Sequence, residues 1–169
     1  VLSEPFPLAG TLIVPAGRHE YLRGYAGFVT STTRPLSLSL KVTCCEFFDG
    51  HSTEVETGLS YRPGPRFNLE FKHKLQPIHL PSGTTSIHIE SLNTTLNFSP
   101  DMRLVSELQY DNVSNRFSGS LRYLWDIRPA TELLVAISES SLLTGMVPHG
   151  SYQSQGTVFS LRLGHRLQL

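Results

Sequence analysis

The sequence predicts an all-β protein, an antiparallel up-and-down transmembrane β-barrel or part of one, with about nine long strands. Three observations carry this. Apolar and polar residues alternate singly along most of the chain, a period that suits a strand and not a helix. Turn signals divide the chain into segments of roughly ten to thirteen residues, longer than the ~5–6 of ordinary globular strands and close to the ~9–11 of a tilted membrane-spanning strand. Pro, Gly, Ser and Thr interrupt every candidate helix.

The segments follow in order. Leu36, Leu38, Leu40 and Val42 alternate with Ser37, Ser39, Lys41 and Thr43. Val55, Leu59 and Tyr61 alternate with Glu54, Glu56 and Arg62, and Phe67, Leu69, Phe71 and Leu75 with Arg66, Asn68, Glu70, Lys72 and Lys74. Between Ser86 and Phe98 the parity changes: Ile87 and Ile89 fall on one face, Leu92, Leu96 and Phe98 on the other, which predicts a bulge. Met102, Leu104, Leu108 and Tyr110 oppose Asp101, Arg103, Glu107 and Gln109. Phe117, Leu121, Tyr123, Trp125 and Ile127 oppose Arg116, Ser118, Ser120, Arg122, Asp126 and Arg128. Phe159, Leu161, Leu163, Leu167 and Leu169 close the series against Ser160, Arg162, Gly164, Arg166 and Gln168. Asp49-Gly50, Pro63-Gly64-Pro65, Ser99-Pro100-Asp101 and Pro129-Ala130 mark tight turns. Longer connections are expected at Gln76–Thr84 and Ser141–Gln155.

Composition narrows the function classes. The 169 residues fit one domain spanning 1–169. Charged residues make up 17%, below the ~25% usual in soluble domains, and Lys+Arg balance Asp+Glu at fourteen each. A neutral chain is a poor match for a nucleic-acid binder. No run of ~18 apolar residues offers a transmembrane helix, which leaves a spanning strand open. Val1 stands where an initiator Met would, with no leader-like segment after it. The chain therefore reads as the C-terminal part of something longer.

Alternation does not say which face is inside. A soluble β-sandwich or lipocalin-like ligand-binding module would bury Trp125, Leu121 and Phe71. A membrane barrel inverts this, with apolar residues to lipid and polar residues to the lumen. Long strands, Leu-rich faces with aromatics near the segment ends, and polar faces carrying both charge signs favour inversion. The lumen-facing candidates are Lys41, Glu54, Glu56, Arg62, Arg66, Glu70, Lys72, Arg103, Glu107, Arg122, Asp126, Arg128, Arg162 and Arg166. Their expected role is to pair, plug the lumen or tune ion selectivity.

The last eight residues read polar, any, Gly, any, any, apolar, any, apolar. Arg162, Gly164, Leu167 and Leu169 thus resemble the terminal signal read by the bacterial barrel insertion machinery, with Leu169 in place of the usual aromatic. Counting back from a periplasmic C-terminus, the turns at Arg128–Thr131, Ser99–Asp101 and Arg62–Pro65 fall on the periplasmic side. Those at Gln76–Thr84, Ser141–Gln155 and Asp49–Ser52 face outside.

Four runs are familiar as a group: 98–104 (Phe-Ser-Pro-Asp-Met-Arg-Leu), 108–114 (Leu-Gln-Tyr-Asp-Asn-Val-Ser), 121–125 (Leu-Arg-Tyr-Leu-Trp) and Arg128-Pro129. With Arg34-Pro35-Leu36-Ser37, Phe48-Asp49-Gly50 and Tyr61-Arg62-Pro63, they resemble the C-terminal barrel region of the DUF5916 family. These are bacterial outer-membrane proteins of unknown function with an N-terminal family 9-like carbohydrate-binding domain. The resemblance implies a Gram-negative outer membrane, contact with outer-membrane lipid, and carbohydrate contact through that N-terminal domain. It supplies no catalytic residues.

No enzymatic site, cofactor or metal centre is expected. Asp49, His51 and Ser52 share one turn, but three residues in a tight turn rarely chain into a Ser–His–carboxylate relay. The seven histidines, His19, His51, His73, His79, His88, His149 and His165, show no metal-site spacing. His73 and His88 are placed to pair across strands, and the histidines read as interfacial or rim residues. The adjacent Cys44 and Cys45 point to opposite faces of a strand and read as small apolar fillers, a bond between them being strained.

Overall fold

The computed structural model describes residues 2–9, 12–20, 22–128, 131–144 and 151–165. Eleven strands and no helix are found among them. Nine form a single antiparallel meander in chain order: β3 (Arg23–Val29), β4 (Leu36–Phe47), β5 (Gly50–Gly64), β6 (Phe67–Leu80), β7 (Gly83–Ser99), β8 (Met102–Asp111), β9 (Arg116–Arg128), β10 (Thr131–Thr144) and β11 (Ser151–His165). The first two, β1 (Phe6–Ala9) and β2 (Leu12–Val14), form a separate small hairpin. Among the described residues, β3 and β11 are edges and do not pair with each other.

Register fixes which residues share a face, because directly opposed residues of an antiparallel pair project to the same side. One row runs Leu38↔Leu59, Leu59↔Phe71, Phe71↔Leu92 and Leu92↔Leu108. Another runs Leu104↔Tyr123, Tyr123↔Val135 and Val135↔Leu161. These rows form one continuous apolar face. The alternate rows, such as Lys41↔Glu56 and Glu56↔Lys74, are polar.

The connections differ from expectation in several places. β6 runs to Leu80 and β7 resumes at Gly83, so the long loop expected at Gln76–Thr84 is only Pro81 and Ser82. Pro77 is tolerated within β6, opposite Ser86. β10 reaches Thr144 and β11 begins at Ser151, so strand occupies most of the connection expected at Ser141–Gln155; residues 145–150 lie outside the described set. The Asp49–Ser52 turn is Phe48 and Asp49, with Phe48 at φ 51°, and the Arg62–Pro65 turn is Pro65 and Arg66. Loop length therefore no longer separates an outer from a periplasmic side.

Nor does a bulge switch parity between Ile89 and Leu92. Pairing of β6 with β7 is uninterrupted from Leu96 to Gly83, so Ile87 and Ile89 lie on the polar face, opposite Gln76 and Lys74. Those two isoleucines sit among aliphatic Lys and Gln stems, which can cover apolar surface while their heads stay polar. Cys44 and Cys45, expected to be unlinked, form a disulfide with their Cα atoms 3.2 Å apart.

There is almost no conventional core. The fully buried hydrophobic residues among those described are Leu12, Val14 and Ile78. They lie where the β1–β2 hairpin meets the turn end of β6 and β7: a Cβ on Gly83 would meet the Leu12 side chain at 3.3 Å, and Ser82 Oγ donates to the Ile13 carbonyl. Ile78 projects on the polar side of the sheet, opposite Ser52 and Thr85. The hairpin therefore covers one end of the polar face. Among the described residues no element covers the apolar face, and Phe71, Leu121 and Trp125 are each more than a third exposed there. The soluble-module expectation that they fill an interior does not hold.

Candidate functional site: the polar, concave face

The sheet is hollowed on its polar side. A cavity of 770 Å³ is lined by Tyr25 and Val29 of β3, Lys41 of β4, Glu56 of β5, Lys72 and Lys74 of β6 and Ser91 of β7. Five strands at ~4.8 Å spacing cover ~19 Å, and one hollow touches all five, as a sheet curled toward this face gives. A second hollow of 530 Å³ repeats the pattern over Asn93, Glu107, Gln109, Ser118, Ser120 and Ser138. A third, of 220 Å³, takes in Ser37, Ser60, Arg62 and Glu70.

Small residues shape the concave side. Gly27 leaves room for the β4 backbone, where a Cβ would stand 2.8 Å from the Leu40 carbonyl oxygen. Gly58 lies opposite Ser39, whose hydroxyl a Cβ at Gly58 would strike. Ser, Gly and Asn elsewhere on this face keep it shallow enough to hold long charged side chains.

Those side chains meet in cross-strand pairs. Lys41 Nζ lies 3.6 Å from Glu56 Oε2, and Lys74 Nζ lies 2.8 Å from Glu54 Oε2. Arg62 Nη2 donates to Glu70 Oε1 at 2.6 Å while its Nε donates to Asn68 Oδ1 at 2.7 Å. Arg122 donates to Glu107, which also accepts from Ser120 Oγ at 3.4 Å. Arg162 and Glu132 lie 3.6 Å apart. Lys41 and Glu56 are directly opposed and the other pairs are diagonal across neighbouring strands; such opposite charges offset one another, and their stems cover apolar patches such as Ile89.

Most of the expected charged residues therefore share this face. Lys41, Glu54, Glu56, Arg62, Glu70, Glu107, Arg122 and Arg162 are in ion pairs. Lys72, Arg103, Asp126 and Arg128 have none among the described residues. Arg66 sits in the β5–β6 turn. Arg166, Leu167 and Leu169 lie outside the described residues, so of the expected terminal signal only Arg162 and Gly164 are placed, on β11. Lys74 and Glu132 were missed as site residues. Their parity places them on the charged face, and reading the partner strands as pairs would have found them.

The convex face carries two aromatic belts. Tyr61 and Phe67 meet edge to face near one end, with Trp125 on the same side of the sheet. Tyr110 and Phe117 face each other near the other end. Phe117 and Trp125 are eight residues apart on β9, ~21 Å of height at ~3.4 Å per residue and ~40° tilt.

Asp49, His51 and Ser52 do not converge. Asp49 Oδ1 accepts from His19 Nδ1 at 2.9 Å. His51 projects on the apolar side and stacks on His79, their ring centroids 4.6 Å apart and 8° from parallel. Ser52 is buried on the other face, where its Oγ accepts from Gln76 Nε2 at 3.1 Å. His73 and His88 stand 6.2 Å apart, closer to a loose neighbour pair than to a chelate. Among the described residues no three metal-ligating groups converge.

This geometry defines a class: an open antiparallel meander with a charged, concave face and an apolar, convex one. No family model, curated protein or solved structure matches the chain.

Proposed function

We propose that this chain is a wall segment of a bacterial outer-membrane β-barrel, with its charged face toward the lumen and its apolar face toward lipid. The observation that carries the reading is the direction of curvature. A soluble β-protein curls or stacks so that its apolar face is enclosed. Here the charged face is the hollow one and the apolar face is left outside. An exposed, contiguous apolar surface of this extent marks an interaction surface, and two aromatic belts ~21 Å apart fit the ~25 Å apolar band of a barrel in a bilayer.

On this reading the module serves as a pore, a translocation channel or an anchor for an N-terminal carbohydrate-binding-like domain, as the likeness to the DUF5916 family suggests. Its charged pairs neutralise one another inside the lumen. Its C-terminal residues address it to the barrel insertion machinery. The β1–β2 hairpin, seated on one end of the polar face, narrows that end of the lumen.

Trp125 is the single tryptophan of the chain and lies on the apolar face, which makes the test direct. The chain is refolded into vesicles containing brominated lipid and, separately, into plain buffer. Strong quenching of Trp125 together with β structure that requires lipid is the expected result. A monodisperse β-rich protein in buffer, with Trp125 unquenched by lipid, would overturn the proposal and favour a soluble ligand-binding module.

A further inference from the structure

We propose that His51 and His79 form a two-imidazole chelate for a borderline divalent cation, Zn²⁺, Ni²⁺ or Cu²⁺, on the outer face of the sheet at its β4–β5/β6–β7 end. The two residues are direct register partners on neighbouring strands. Their rings already stack, with centroids 4.6 Å apart and planes 8° from parallel. Both are exposed, so a hydrated ion reaches them freely. Each lies near a strand end, next to the turns at Phe48–Asp49 and Pro81–Ser82, where the face is clear of the apolar rows.

Chelation requires both rings to swing out of the stack, because parallel rings cannot aim their in-plane nitrogen lone pairs at one ion. Two ligands at ~2.0–2.1 Å from a tetrahedral ion stand ~3.3 Å apart. Stacked imidazoles reach that separation by tilting toward each other about χ2, a broad torsion in histidine. The strands hold both Cα atoms in register, so the ion need not order a loop. Glu46 is the next residue in the same cross-strand row, opposite His51. One of its carboxylate oxygens, Oε2, accepts from the Leu22 amide at 2.8 Å, which leaves Oε1 to accept from a metal-bound water. Water completes the shell. Imidazole donors favour this group of metals, whereas Ca²⁺ and Mg²⁺ require oxygen ligands. The site depends on strand register alone and is independent of whether lipid or water lies against the apolar rows.

Calorimetric titration of the refolded chain with ZnCl₂ or NiCl₂ tests this. The expected result is one ion per chain, with no comparable uptake of CaCl₂ or MgCl₂. His51→Phe and His79→Phe keep an aromatic pair on the same register but remove the nitrogens. Each should weaken binding by at least the ~10–100-fold that loss of an outer-shell partner alone causes, with unchanged circular dichroism. His73→Phe should leave it unchanged. No stoichiometric uptake by the parent chain, or parent-like affinity in either variant, would overturn the assignment.

Discussion

Placing a cation at Leu121 separates lipid from water on the convex face. Leu121 is 41% exposed and lies between Ser106 and Ile137 on the apolar side. It is five residues from the Arg116 end of β9 and seven from the Arg128 end. At ~3.4 Å per residue and ~40° tilt, it therefore sits within about 3 Å of the middle of the strand's vertical span. Leu121→Arg should then cost about 2–4 kcal/mol in a bilayer, or roughly 30- to 700-fold in the folding equilibrium. Ser120→Arg places the same charge at nearly the same height on the polar face, opposite Glu107 and Ser138. It should change stability by less than about 1 kcal/mol. Denaturant titration of both variants in lipid vesicles, read by Trp125 emission, gives the two numbers. If Leu121→Arg costs no more than the ~0.5 kcal/mol of an ordinary surface change, or if Ser120→Arg is the more damaging, the faces are assigned the wrong way round.

Three further results are expected. His19, with a side chain only 7% exposed, holds Asp49 Oδ1 through Nδ1 and the Pro15 carbonyl through Nε2, each at 2.9 Å. Two acceptors require both ring nitrogens to carry protons, and the Pro15 carbonyl and then the Asp49 carboxylate raise its pKa above 6.5. A raised folded-state pKa means the tie contributes fully below about pH 6.5 and is lost as pH climbs through the higher folded value. Hydrogen exchange at 12–20 should therefore accelerate on raising the pH beyond its intrinsic base dependence, and His19→Gln should abolish that excess; a parent profile with no excess would refute the tie. Ile78→Ala, at the junction of the hairpin and sheet, should cost about 2–5 kcal/mol by denaturant titration, and a loss below 1 kcal/mol would mean the hairpin is not seated there. For Arg122 and Glu107, both about half exposed, a double-mutant cycle should give a coupling of about 0.2–1 kcal/mol, the value for a hydrated pair. Several kcal/mol on removing one partner would instead indicate a dry, plugged interior.

Much of the sheet was legible because period two is a direct print of the pleat. Lys41, Glu56, Glu107 and Arg122 fall on the charged face because each has the parity of its strand's polar set, and in a regular meander parity alone assigns a face. What parity does not give is where a strand stops. Gln76–Thr84 reads as a loop because Pro77, Pro81 and Gly83 look like breakers, yet Pro77 stays in register with Ser86 of β7 while pairing to β5 lapses opposite it, and only Pro81 and Ser82 turn the chain. Ile87 and Ile89 suggested a bulge because an apolar residue on a polar face looks like an error. The register shows that they sit beside Gln76 and Lys74, whose stems accept an apolar neighbour. The His51–His79 stack and the His19–Asp49 tie were illegible for another reason. Each joins residues about thirty apart in sequence, and only the register of the intervening strands brings them together.

A closed barrel constrains what the two edges of this nine-stranded sheet can join. In a meander, successive strands reverse direction, so β3 and β11, separated by seven strands, run the same way. Joining these two edges directly would create a parallel pair, and so would joining β11 of one copy to β3 of a second copy around a common barrel axis. Bacterial single-chain barrels are antiparallel throughout and even in number, and open edges are not tolerated in lipid. Closure therefore calls for an odd number of strands beyond these nine. The β1–β2 hairpin does not supply it, because its two strands pair with each other and their buried residues pack at the β6–β7 end. In a closed barrel, completing strands would enter between the outer edges of β11 and β3. There Tyr25, Val29, Phe159, Leu161 and Leu163 are the most exposed large hydrophobic residues among the described strands of the sheet, as expected where neighbouring strands are still to be added.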